Sequence, residues 1–216
     1  MSHIKRSRGF SLIELLSVLA IITILAAATV PALKGTLDGF NISGAADMTG
    51  AELSLARQTA MSRNLPVEVR IYKIKDTTGD EYRVIALVVP KNASHAANDE
   101  WITPGKLLPG NVLFDRTNQY STVISEGEKN PSTADPRLVP WYGPAETAVP
   151  NLLKDSTYVA FQYSPDGSTN LPPGQPWCLT LRNLNPKVSQ VPNTPAANYV
   201  SIVIDSLTGR TLTYQP

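Results

Sequence analysis

From Phe10 to Val30 the chain is almost unbrokenly apolar, and Glu14 is the only charge in the run. At about 1.5 Å per helical residue, a run of this length crosses roughly 30 Å of hydrocarbon, so it predicts a membrane-spanning helix. Helical spacing continues past Pro31. Leu37, Phe40, Met48, Leu53, Leu55, Ala56, Ala60 and Met61 recur with Asp38, Asp47, Glu52 and Arg57 between them, which predicts an amphipathic continuation over residues 31–65 with one face able to bury. Pro31 lacks the backbone donor and crowds the preceding turn, so a kink is expected there. Gly35, Gly39, Gly44 and Gly50 each weaken a helix by about 1 kcal/mol relative to alanine, which predicts firmer helix from about Ala45 onward. Pro66 disfavours helix at the residue before it and ends the segment.

The period then changes. Val67, Val69 and Ile71 alternate with Glu68, Arg70 and Tyr72, the pattern of a half-buried strand, and Tyr82 to Val89 returns after a turn over Asp76-Thr77-Thr78-Gly79-Asp80. Between Pro104 and Pro195, both included, lie 14 of the 18 prolines, so long loops are expected between the later strands. A short strand is expected around Val112 to Phe114, and an irregular proline-rich insertion at about 118–150. Tyr158 to Tyr163, Trp177 to Leu184, Tyr199 to Asp205 and Arg210 to Tyr214 read as strands completing one sheet. A long helix followed only by strands is the α+β class: an amino-terminal transmembrane and amphipathic helix packed on an antiparallel sheet domain over 66–216.

Charge and composition narrow the function. With 216 residues there is room for one membrane helix and one modest domain. Formal net charge is +1, and it is −2 without Lys5, Arg6 and Arg8 ahead of the apolar run, so bulk charge does not indicate a nucleic-acid binder. Cys178 is the only cysteine, which rules out an intrachain disulfide and makes a small apolar strand residue its first reading. His3 sits in the leader and His95 stands alone in a polar loop, so no metal site or cofactor is expected. There is no Gly-x-Ser-x-Gly elbow and no phosphate loop, and no histidine is placed for a triad, so no catalytic residue and no enzyme is expected.

Glu14 carries the sharpest signal. A carboxylate in the bilayer costs on the order of 2.5 to 3.5 kcal/mol even on the lenient insertion scale, and such a group normally faces a protein partner. Three other readings of the amino terminus compete. A secretory signal could be cut near Ala26-Ala27-Ala28, but its apolar core is normally about 7 to 15 residues and carries no Glu. A plain single-span anchor explains the length but not Gly9-Phe10 with a lone Glu at the cytoplasmic edge, and a buried soluble helix needs no basic leader. Arg8-Gly9-Phe10-Ser11-Leu12-Ile13-Glu14-Leu15 resembles the class III signal of type IV pilins and type II secretion pseudopilins. The resemblance implies cleavage by a prepilin peptidase between Gly9 and Phe10, N-methylation of Phe10, and a filament subunit. Cleavage would leave a cationic amine one helical turn from Glu14, available to its own Glu14 or to a neighbour's. The leader at 1–9 would stay cytoplasmic, giving a single pass of the bacterial inner membrane over residues 10–30 and an extracytoplasmic domain.

The remainder is similar to the FimT/GspH family of minor pilins and pseudopilins. The pieces occur in order: Leu55-Ala56-Arg57, Ala60 to Arg63, Pro66-Val67-Glu68-Val69, Leu108-Pro109-Gly110-Asn111-Val112, Phe161 to Gly167, Ile202 to Asp205 and Thr208-Gly209-Arg210. The resemblance implies partners in the prepilin peptidase, other pilins, an inner-membrane assembly platform and membrane lipid. It also keeps a DNA-binding minor pilin as the alternative, because some FimT members bind DNA at the carboxyl-terminal end. Here that end offers Arg182, Lys187 and Arg210 without a clustered basic run, and phosphate-driven binding needs several clustered cations. Arg57 and Arg210 read first as structural or solvated residues, and Asp166 and Asp205 as turn formers.

Overall fold

The computed structural model describes residues 11–76, 79–90, 99–116, 120–130, 140–144, 153, 156–184 and 198–215, the side chains of 28–34, 76 and 141–144 excepted. One helix, α1 (Leu12–Arg63), runs 52 residues and continues through Pro31. Its end is set by Asn64 at φ 53°, with Leu65 N–H donating to Ala60 O at 3.3 Å. Asparagine tolerates this left-handed turn, which closes the helix one residue before the proline-restricted position takes effect. The chain divides into two compact units, Met1–Gly39 and Phe40–Pro216.

Within the second unit the helix buries Ile42, Ala45, Ala46, Thr49, Leu53, Ala56 and Ala60, a row of helical period made mostly of small residues. The expected face is therefore corrected. Phe40 is 71% exposed, and Leu55 and Met61 are exposed as well, because the core is reached through the alanine row. Glu52 is buried on the same helix, where it accepts from Thr103 Oγ1 at 3.0 Å and from Lys106 Nζ at 2.5 Å. Paired in this way, a buried carboxylate becomes a tie between helix and sheet instead of a penalty.

The strands are β1 (Val67–Asp76), β2 (Gly79–Val89), β3 (Glu100–Leu107), β4 (Val112–Phe114), β5 (Trp141–Pro144), β6 (Thr157–Tyr163), β7 (Trp177–Asn183), β8 (Tyr199–Ile204) and β9 (Thr211–Tyr214). They are antiparallel throughout and form two sheets, ordered β3-β2-β1-β6-β5 and β4-β7-β8-β9, where one sheet was expected. The expected α+β architecture, an amino-terminal helix followed by antiparallel sheets, is what the structure shows. The proline-rich insertion is not wholly irregular. It holds the short helix α2 (Thr122–Gly127), and β5, which pairs with β6 at the edge of the larger sheet. The strand β3, which carries Pro104 and Gly105, was not anticipated. It tolerates both because it is an edge strand whose register with β2 shifts twice.

β1 is the centre of the larger sheet and is buried on both faces, not one. Its polar-looking face holds a buried ion cluster: Arg70 Nε meets Glu68 Oε1 at 2.6 Å, Arg70 Nη2 meets Asp99 Oδ2 at 2.5 Å, and the guanidinium lies 4.8 Å from the centre of the Tyr158 ring. Burial by itself would make Arg70 less basic. The charge and hydrogen bond of Glu68, together with Tyr158 and Tyr72, more than offset it and hold the guanidinium protonated. Tyr72, stacked on Trp101 at 6.4 Å, continues this face. Periodicity read Glu68 and Arg70 as solvent-facing because alternation reports polarity, and mutual pairing lets polar residues be buried.

Candidate assembly site

Gly9 and Phe10 lie outside the described residues. Glu14 does not. Ser11 immediately precedes α1, its N–H donates to Glu14 Oε2 at 2.9 Å, and the Glu14 N–H donates back to Ser11 Oγ at 3.3 Å. This is a reciprocal capping box of the Ser-x-x-Glu kind, which satisfies two of the amide donors that every helix start leaves open. The amine-to-carboxylate pairing considered from sequence is thus accompanied by a local partner. Its signal in the chain is a serine three residues before the glutamate.

The helix beyond it is prepared for an apolar setting. Leu12, Ile13, Leu15, Leu16, Val18, Leu19, Ile21, Ile22, Ile24 and Leu25 are all more than half exposed, on every side of the helix. Ser17 Oγ donates to Glu14 O and Thr23 Oγ1 to Ala20 O, each at 2.8 Å, so both hydroxyls are satisfied within the helix. A stretch that is apolar all round with its polar groups internally paired suits lipid or a bundle of other helices, not water. Among the described residues no helix is long and apolar enough by itself to cross a membrane, and the run's two ends fall on residues whose side chains are outside the description.

Of the second predicted group, the pieces holding Arg57, Gly167 and Thr208 meet near the carboxyl-terminal end of α1, whereas Gly110 of another piece lies against Asn41 earlier on the helix. Arg57 Nε donates to Gly167 O at 3.1 Å and to Thr208 O at 3.0 Å. One carbonyl belongs to the turn after β6 and the other to the turn between β8 and β9, so a single helical side chain ties one turn from each sheet. Those turns also bind each other through Thr169 N–H to Ser206 O at 2.9 Å. Gly209, at φ 63°, has no room for a side chain: a Cβ there would fall on the Gly167 carbonyl oxygen. Asp166 accepts from Ser168 N–H and Oγ, and Asp205 from Leu207 N–H and Thr208 Oγ1. The Ser168 and Thr208 hydroxyls lead in holding these carboxyls below their ordinary range, as turn chemistry expects.

Under Arg57 lies Tyr163, fully buried, whose hydroxyl has no hydrogen-bond partner; burial pushes its phenol up, against a smaller opposing pull from Arg57. Cys178 sits half-buried on β7, and burial raises its thiol. His95 and Lys187 lie outside the description. Among the described residues no group of His, Cys, Asp and Glu side chains could hold a metal ion.

Residues 4–30 match the family model described as the prokaryotic N-terminal methylation motif. No curated protein and no solved structure matches the chain. The matched segment contains the basic leader, Gly9-Phe10, the capped Glu14 and the exposed apolar helix, features of a precursor that a prepilin peptidase processes and that assembles with other pilins. The match supports a type IV pilin-like or pseudopilin-like protein, made as a membrane-anchored precursor and structural in kind, not an enzyme.

Proposed function

We propose that this chain is a minor pilin or pseudopilin of the FimT/GspH kind, a subunit of a type IV pilus or a type II secretion-like filament. The observation that carries the reading is the methylation motif at residues 4–30, within which the large apolar side chains from Leu12 to Leu25 are all exposed. Prepilin peptidase cuts between Gly9 and Phe10 and Phe10 is N-methylated. The subunit waits in the inner membrane with residues 10–30 as its span and its sheets outside the cytoplasm. An assembly platform then draws it into a helical bundle, with Pro31 bending the helix where it leaves the bilayer. Within the membrane the Ser11 amide holds Glu14, lowering the cost of the carboxylate before assembly, and in the filament Glu14 pairs with a neighbour's amino-terminal amine.

DNA binding has less support. Arg182 Nε is directed at Asp115 Oδ1 at 3.5 Å, Arg57 is spent on turn carbonyls, and the exposed Arg210 lies close enough to Asp205 to lower its carboxyl. The test of the leading reading combines two measurements. Mass spectrometry of the membrane-extracted protein is expected to find methylated Phe10 at the amino terminus. The Glu14→Ala variant is expected to be cleaved and inserted as well as wild type but recovered poorly in sheared filaments, because a cheaper span cannot fail to anchor. A terminus near Thr29 would refute the filament reading, and equal filament recovery would refute the role of Glu14.

A further inference from the structure

Two sheets have four edges, and three of these carry devices against strand addition. The β3 edge has Glu100, Pro104 and Lys106 with two register shifts, β5 is four residues long with Gly143 and Pro144, and β4 is three residues long and fully buried. The fourth edge, β9, is as short as β5 but carries neither glycine nor proline. Thr211-Leu212-Thr213-Tyr214 is built of strand-forming residues with no charge, proline or bulge, and Leu212 is 74% and Tyr214 58% exposed. Asp205 N–H donates to Arg210 O, and the register places Leu212 opposite Val203 and Tyr214 opposite Ser201. By the alternation of an antiparallel ladder, Leu212 and Tyr214 bond to β8, while the N–H and C=O of Thr211 and Thr213 point away from it.

We propose that this edge receives an extended strand from a neighbouring subunit of the same filament, an inference that rests on the filament reading above. The occupant follows from size and charge. A strand pair about 14 Å long covers far less than the roughly 1,200 Å² that a free-standing interface needs, so the edge captures only a partner already held nearby. Subunits whose amino-terminal helices share a bundle are held in that way, at an effective concentration on the order of millimolar. The incoming strand is neutral along Thr211–Tyr214, apolar where it lies beside Leu212 and Tyr214, and acidic where it passes the exposed Arg210.

Hydrogen exchange read by mass spectrometry on the full chain tests this, comparing detergent-extracted subunits with sheared filaments. The Thr211 and Thr213 amides are expected to exchange freely in the extracted subunit and at least about tenfold more slowly in filaments. Leu212→Lys, which adds a charge on the exposed side, is expected to leave thermal unfolding unchanged and to lower filament recovery at equal membrane level. Thr213→Pro, which removes an outward donor while sparing the bonds to β8, is expected to do the same. Filaments that contain the chain with both amides exchanging as fast as in detergent would overturn the strand addition alone. A cleaved, membrane-inserted wild-type chain never recovered in filaments would overturn the filament reading and this inference together.

Discussion

Replacing Arg57 tests whether a single helical side chain holds the two sheets in register. Arg57→Met keeps an unbranched stem where the guanidinium now runs past Gly167, and removes the donor shared by the Gly167 and Thr208 carbonyls at 3.1 and 3.0 Å. A hydrogen bond to a charged group is worth about 1.5 to 3 kcal/mol. Here one N–H serves two acceptors, Arg57 is half-buried, and the Thr208 carbonyl lies in an exposed contact that water can reclaim, so the lower end applies. The loss is then about 1.5 kcal/mol, which for a unit of this size lowers Tm by about 3 to 6 °C. The assay is thermal unfolding of a chain beginning at Phe40, the start of the second compact unit, followed by tryptophan fluorescence since Trp177 is buried beside these turns. Arg57→Lys should recover part of the loss, as a point donor reaches one carbonyl but not both. A methionine variant melting within about 1 °C of wild type would refute the role of Arg57 as a tie.

Three further outcomes are expected. Gly209→Ala should cost about 3 kcal/mol, since a Cβ there meets the Gly167 carbonyl at a φ that alanine disfavours, and an unchanged denaturant midpoint would contradict the turn-on-turn packing. Gly44→Ala should stabilise by about 1 kcal/mol, because this helical glycine is exposed and an added Cβ meets nothing, and chemical denaturation would read the gain. Asp166 and Asp205 have folded-state values below their unfolded ones, so the stability they add is present above the ordinary carboxylate range and is lost as pH falls through the folded values. Melting temperature against pH should therefore fall less steeply in acid for Asp166→Asn with Asp205→Asn than for wild type.

The elements that were read correctly are those whose signal is local. The apolar run, the period change at Pro66, and the strands around Val112, Tyr158, Trp177, Tyr199 and Arg210 all depend on neighbours within a few residues. The Ser11 and Glu14 capping box has a local signal too, the Ser-x-x-Glu spacing, although it was not among the elements expected from the sequence. The elements that were missed depend on position in a sheet. β3 reads as loop because of Pro104 and Gly105, and only its place at an edge makes both acceptable. β5 is a strand because β6 is there to pair with it.

The sequence by itself determined that an apolar helix leads into an antiparallel α+β domain, since hydrophobic length and period are carried by consecutive residues. Tertiary structure alone decided that the strands divide into two sheets, that Arg70 is buried between Glu68 and Asp99, and that β9 stands at an edge of the smaller sheet. It also decided that Arg57 reaches carbonyls 110 and 151 residues away. The reason is physical: which strand lies beside which, and which charge finds a buried partner, are settled by contacts between segments distant in the chain, and no local pattern encodes them.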